Sequence, residues 1–319
     1  MRSVPHIKAD EVHRLLPFDV LVEGLLAAHR SAMPGAERLL MSRPLPTGEH
    51  EHFLVWPAWR PGQSLGIKLV TVFPGNARAG KAAIGGLYVL FDGGDGHPVC
   101  LIDGPALTFR KTAADSAAGA SLLARPDARR LAILGAGGQA IWQIRAMCAV
   151  RPIAAVSIWN RTPERAEALA ATLRDEGLDA LAAAAPRDAV EDADIVCCAT
   201  SAQEPLLRGE WLRPGAHVDL VGSFTAGMRE ADDEAVRRSR VFVDTRRFAL
   251  VAGDIAGPIA SGAITADHIR GELADLAQGA VRGRTGPDDV TLYKNAGGGH
   301  LDLICADLLF ARFLAAVEP

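Results

Sequence analysis

The chain has 319 residues, 49% of them hydrophobic and 23% charged, and a formal net charge of −4. That length supports a sizeable core and about two domains. The slight acidity argues against a nucleic-acid partner, and no apolar run approaches the roughly 20 residues of a membrane span.

The N-terminal stretch MRSVPHIKADEVHRLL carries charges every few residues and no apolar core, unlike a signal peptide. A helix is expected around residues 19–32. Four strand-like runs follow, HEHFLVWPAW, SLGIKLVTVF, AAIGGLYVLFD and PVCLIDG, separated by the turn-rich PGNARAG and GGDGHP. With no helical period between them, they predict a mostly antiparallel sheet. KTAADSAAGASLLA predicts a helix leading out of it.

From Leu131 to Asp244 the pattern changes. RLAILG, AAVSIWN, ADIVCCATS, AHVDLVGS and RVFVDT read as strands alternating with helices, which implies βαβ units and a parallel sheet. In GQAIWQIRAMCAV, residues Ala140, Ile141, Ile144, Met147 and Cys148 recur at helical spacing. In TPERAEALAATLRDEG, Thr162 is placed to cap, Pro163 suits the first helical position and Gly177 the stop. HLDLICADLLFARFLAA predicts a C-terminal helix that returns to the first domain. The expected fold class is therefore α/β, with a parallel-sheet domain inserted into a second, mixed α+β domain.

The five cysteines, Cys100, Cys148, Cys197, Cys198 and Cys305, show no CxxC spacing. They read as free thiols in a reducing compartment, and a cytoplasmic protein is expected. The nine histidines show no spacing that suggests a metal site, so no metal is expected.

Gly135, Gly137 and Ala140 fill the G-x-G-x-x-G/A positions between a strand and a helix, with Gly138 and Gln139 in the same turn. The first glycine permits the tight turn and the second lets the backbone approach a pyrophosphate at the helix N-terminus. The third small residue lets helix and strand pack closely. The next strand ends in Asn160–Arg161–Thr162, with no acid where an NAD-preferring site would hold the ribose 2′-hydroxyl. Arg161 can stack on adenine and pair with a 2′-phosphate, and Asn160 and Thr162 can hydrogen-bond to it. NADPH is the expected cofactor, with NADH as the second choice. Ala199–Thr200–Ser201 and Val221–Gly222–Ser223 fall at later strand ends, where small residues suit a nicotinamide ribose.

The stretches LGIKLVTVFPGN, LTFRKTAA, LAILGAGGQA, WNRTPERA, VGSFTAGMREAD, VFVD and TLYKNAGGG resemble, in order, the ornithine cyclodeaminase/mu-crystallin family. The resemblance implies a substrate-binding and dimerisation domain over residues 1–114 and an NAD(P)-binding Rossmann domain over 115–296. The C-terminal helix, 297–319, would return to the first domain in a homodimer. Family members act on small amino or imino acids. The cyclodeaminases carry an aspartate after the fourth parallel strand. Here Phe224 stands in its place, and a phenyl ring cannot pair with an ammonium. The matching stretches look more like the branch that reduces the cyclic imino acids Δ1-pyrroline-2-carboxylate and Δ1-piperideine-2-carboxylate to L-proline and L-pipecolate.

Under that resemblance Arg110 is placed to clamp the substrate carboxylate. Lys68 is a second cation, in an apolar strand where a charge is costly without a partner. Arg43 matches a third cationic position, and Trp56 and Phe224 would wall the apolar ring. Thr112 and Lys294 belong to motifs near the cofactor. The proton for the imine falls to Lys68 or to water, and His300 is a packing or proton-donating residue. The rival activities are ornithine cyclodeamination, an alanine dehydrogenase-like reaction, and non-catalytic NADPH binding; a pure binder has no need of Arg110 and Lys68.

Overall fold

The computed structural model describes residues 4–48 and 50–317. The chain divides into two compact units, Met1–Lys111 with Gly298–Pro319, and Thr112–Gly297.

The first unit opens with β1 (His6–Ile7), α1 (Ala9–Leu15) and α2 (Phe18–His29). The sequence led to one helix here. It missed α1 because seven residues with only Val12 and Leu15 buried give too little period to read. Then come β2 (Gly35–Ala36), β3 (Leu39–Pro44), β4 (His50–Arg60), β5 (Ser64–Val72), β6 (Ile84–Asp92) and β7 (Pro98–Asp103). The sheet order is β1-β7-β6-β5-β4-β2, with β3 also on β4; β1 pairs parallel to β7 and the other pairs are antiparallel. Helix α3 (Gly104–Leu123) then leads out of the sheet. It begins well before the expected KTAA, because the Asp103 side chain accepts from the Ala106 backbone N–H (2.8 Å) and starts the helix there.

The second unit contains β8 (Arg130–Leu134), α4 (Ala140–Val150), β9 (Ala155–Trp159), α5 (Pro163–Asp175), β10 (Asp179–Ala182) and α6 (Pro186–Val190). Next are β11 (Ile195–Cys198), β12 (His217–Leu220), α7 (Asp233–Arg237), β13 (Arg240–Val243), α8 (Arg246–Ala249) and α9 (Gly253–Ala260). It ends with β14 (Ile269–Glu272), α10 (Leu273–Ala277) and β15 (Thr291–Lys294). All its strand pairs are parallel, in the order β10-β9-β8-β11-β12-β15-β13-β14. Strands β10, β14 and β15 lie outside the sequence expectation. Each has four residues, as do β11, β12 and β13, which the sequence did show. Both faces of the sheet are covered, with Leu134, Val196, Val218 and Leu220 in one apolar cluster and Ile133, Ile158, Ile195 and Cys197 in the other. The chain moves outward in opposite directions from β8 and β11, which opens the crevice where doubly wound sheets take ligands.

Helix α11 (Gly299–Val317) rejoins the first unit and packs on α2, β4 and β5. No helix among the described residues is long and apolar enough to cross a membrane. The cysteines are all free thiols, and burial raises Cys100 and Cys148 to about 11, which leaves them unreactive.

Candidate active site and cofactor cleft

The glycine turn of the second unit is built for close approach. Gly135 has φ +114°, and a Cβ there would stand 2.6 Å from the Ala199 carbonyl, so a side chain has neither the backbone conformation nor the room. Its N–H donates to the Trp159 carbonyl (2.8 Å), tying β8 to β9. Gly137 faces open space, and Ala140, fully buried, begins α4. Gly138 and Gln139 form the turn between them. A cavity of about 260 Å³ lies against this turn, lined by Gly135, Gly137, Asn160, Arg161, Thr200 and Ser201 among others. Open backbone at the start of an eleven-residue helix, with an exposed arginine beside it, fits the phosphates of a dinucleotide.

Several residues expected at this cleft have partners within the protein. The Asn160 side chain accepts from the Ala136 backbone N–H (3.1 Å) and donates to the Thr162 carbonyl (2.9 Å), so it braces the glycine turn. Thr162 occupies the N-cap position of α5 without a side-chain capping bond, while Pro163 does stand in the first turn. Ala199, Thr200, Val221 and Gly222 are partly exposed at the ends of β11 and β12, and Ser201 is exposed. Ser223 is fully buried; its hydroxyl donates to the Met228 carbonyl (2.7 Å), away from solvent. Phe224 is half exposed on the loop after β12. Lys294 is fully buried: its ammonium lies 3.4 Å from Asp254 and donates to the Leu220 carbonyl (3.1 Å), within the end of the sheet. The Thr112 carbonyl accepts from Asn295 (2.9 Å).

The first unit gathers charge where water is excluded. Lys68 on β5 is 6% exposed, and its ammonium lies 3.0 and 2.8 Å from the two carboxylate oxygens of the fully buried Asp302 on α11. Burial pulls the Lys68 pKa below the ordinary lysine value; Lys111 pushes the same way and Asp302 resists. Trp56 stands directly across from Lys68 in the β4–β5 register, with the ammonium 5.6 Å from its ring centroid. On the same ring, the Arg38 guanidinium carbon is 5.1 Å from the centroid.

The structure gives each of the expected cations its own surroundings. Arg110 is buried, but its guanidinium donates to the His13 carbonyl (2.8 Å) and stacks on Phe18 at 4.2 Å, holding α1 and α2 to α3. Its neighbour Lys111, 4% exposed, is the cation within electrostatic reach of Lys68 and His300. Successive helical residues point about 100° apart, so the pair Arg110–Lys111 cannot face one place. Arg43 is paired with Glu51 and its side chain is 71% exposed, whereas Arg38 is the arginine that meets Trp56. His300 is lowered to about 3, chiefly by burial and then by His29 and Lys111, and stays neutral in ordinary conditions. No group of three His, Cys, Asp or Glu residues that could hold a metal ion occurs among the described residues.

A doubly wound parallel sheet with a glycine turn fitted to a dinucleotide, inserted into a mixed unit that buries the Lys68–Asp302 pair, defines an NAD(P)-binding α/β protein. The sequence profile of the ornithine cyclodeaminase/mu-crystallin family matches residues 19–315, and the chain belongs to that family. A Δ1-pyrroline-2-carboxylate reductase of Paracoccus denitrificans is 48% identical over 265 residues, 81% of this chain and 82% of that one. A Bacillus cereus protein of the same name is 35% identical over 315 residues, 97% and 96% of the two chains. The solved structure of the Thermococcus litoralis Δ1-pyrroline-2-carboxylate reductase, in complex with NADH and L-proline, superposes with a TM-score of 0.91 at 29% identity, covering 98% of each chain.

Proposed function

We propose that the protein is an NAD(P)H-dependent imine reductase that converts Δ1-pyrroline-2-carboxylate, and the six-membered Δ1-piperideine-2-carboxylate, into L-proline and L-pipecolate. The family relatives named for this reaction support the substrate class. The observation that carries the chemistry is the buried Lys68–Asp302 pair with Lys111 beside it and the Trp56 ring across the strand. A surplus of buried positive charge next to an aromatic face suits a small ring bearing one carboxylate.

In this reading Lys111 and Arg38 take the carboxylate and Trp56 covers the ring methylenes. Lys68, its proton made easier to release by burial, supplies the proton to the ring nitrogen while Asp302 fixes its position. The cofactor, held at Gly135, Gly137, Ala140 and Arg161, supplies hydride to the imine carbon when bound. Positioning carries most of the rate, because a protonated imine is already electrophilic. NADPH is preferred over NADH, because the end of β9 offers Arg161 and no carboxylate to the adenosine ribose.

The protein is a homodimer in this proposal. Leu39, Met41 and Ile84 on the first unit's sheet are each more than half exposed (54%, 58% and 55%), which is apolar surface suited to a second copy.

Loss of the reduced-nicotinamide absorbance on mixing the protein with NADPH and either cyclic imine tests the activity, with NADH run in parallel. Oxidation with both rings and faster turnover with NADPH is expected. No oxidation with either ring overturns the reading and turns attention to L-ornithine, or to pyruvate with ammonia.

A further inference from the structure

Within the second unit, Glu230 has no part in the steps above, yet its fully buried carboxylate joins the two loops that follow β11 and β12. One oxygen accepts from the Thr200 backbone N–H (2.7 Å) and the Thr200 hydroxyl (2.9 Å), and the other accepts from the Gly222 backbone N–H (2.6 Å). A Cβ at Gly222 would come 1.8 Å from the Thr200 carbonyl and 2.6 Å from the same carboxylate, so the glycine is what lets the two loops and Glu230 meet. Glu230 is anchored in turn: its backbone N–H and that of Ala231 donate to Asp254 on α9 (2.7 and 3.2 Å). Asp254 pairs with Lys294 on β15 at 3.4 Å, and Lys294 donates to the Leu220 carbonyl at the end of β12. The two loops are therefore spaced by one carboxylate with a buried ion pair behind it. Burial, and then Asp254, raises the Glu230 pKa above the ordinary carboxylate value, against the pull of Lys294 and the N–H donors.

In a doubly wound sheet the strands on the β11–β12 side of the crevice serve the nicotinamide half of the cofactor, and the β8–β9 side serves the adenine half. We infer that Glu230 is a positioning residue for the nicotinamide half: through Thr200 and Gly222 it sets the spacing of the loops that receive it, without touching the cofactor. This rests on the proposal that the protein binds NADPH.

The test measures dissociation constants for NADPH and for 2′-phospho-ADP-ribose, which lacks the nicotinamide, by calorimetry in the full-length protein. Glu230→Gln keeps the shape but turns an amide N–H₂ toward one donor. It is expected to weaken NADPH roughly tenfold and the fragment by less than about twofold. Thr200→Val removes the hydroxyl arm, together with the acceptor of the Ala202 backbone N–H (3.3 Å). It is expected to weaken NADPH about threefold with the fragment unchanged, and it carries the test where Glu230→Gln does not fold. Equal weakening of both ligands, or no change in either, overturns the inference. Failure of the unmutated protein to bind NADPH or NADH overturns the proposed function instead, and binding without imine turnover overturns the activity while leaving the Glu230 comparison readable.

Discussion

In the second unit the ligand-facing groups are backbone and open space: Gly135 at φ +114°, Gly137 with nothing near it, and the first turn of α4. In the first unit the groups proposed to serve the substrate are side-chain charges taken almost wholly out of water, Lys68, Lys111 and Asp302. The first kind of site depends on chain path and tolerates change at many neighbouring side chains. The second kind couples function to stability, because removing either partner leaves the other charge buried.

The largest expected effect follows from that coupling. Lys68→Met should lower kcat/KM by about a thousandfold and destabilise the protein by roughly 3–5 kcal/mol, because Asp302 is left uncompensated. The double variant with Asp302→Leu should recover most of the stability in urea unfolding and none of the activity. Recovery of both would show the pair to be structural.

Each unit also buries a neutral imidazole, and these give the next effect. His217, in the second unit, and His300, in the first, are both lowered to about 3 from the model-peptide value of 6.5, in each case mainly by burial. The unfolded chain binds these protons below pH 6.5 and the folded chain does not. Stability is therefore fully present above about 6.5 and falls as pH drops toward 3, by about 1.4 kcal/mol per pH unit for each histidine. His217→Gln should flatten that slope in melting curves between pH 6.5 and 4.5; an unchanged slope would remove His217 from the account.

A smaller effect separates the neighbours Arg110 and Lys111. Lys111→Met should raise the KM for the imine about tenfold with little change in melting temperature. Arg110→Met should lower the melting temperature by several degrees, because the His13 and Phe18 contacts are lost, with KM nearly unchanged. The opposite pattern would return the clamp to Arg110.

That pair also marks where the sequence could be read and where it could not. The glycine turn, strands β8, β9, β11, β12 and β13 and the C-terminal helix were legible, because each depends on local period and turn chemistry. The cations were legible as a type and not as individuals. Proposing Lys111 for the clamp in place of Arg110 requires the phase of α3, which is set by Asp103 at a start seven residues before the apparent one. Choosing Arg38 over Arg43 requires knowing that Arg43 lies on the exposed strand β3, beside Glu51. Asp302, Glu230 and Asp254 gave no signal at all, since a carboxylate that pairs across more than twenty residues looks like any surface acid in the sequence. The same limit applied to Asn160, whose side chain turned out to brace the glycine turn.

With Asn160 committed to that turn, discrimination between the two nicotinamide cofactors concentrates on one exposed side chain. Arg161→Ala should weaken NADPH about tenfold, the worth of one charge-assisted phosphate contact, and leave NADH within about twofold. The effect is modest in free energy, because the arginine is solvated before it binds. It should also shrink at high salt, as an exposed ion pair does and a buried one does not. A loss that is equal for both cofactors would mean that Arg161 stacks on the adenine and does not read the 2′-phosphate.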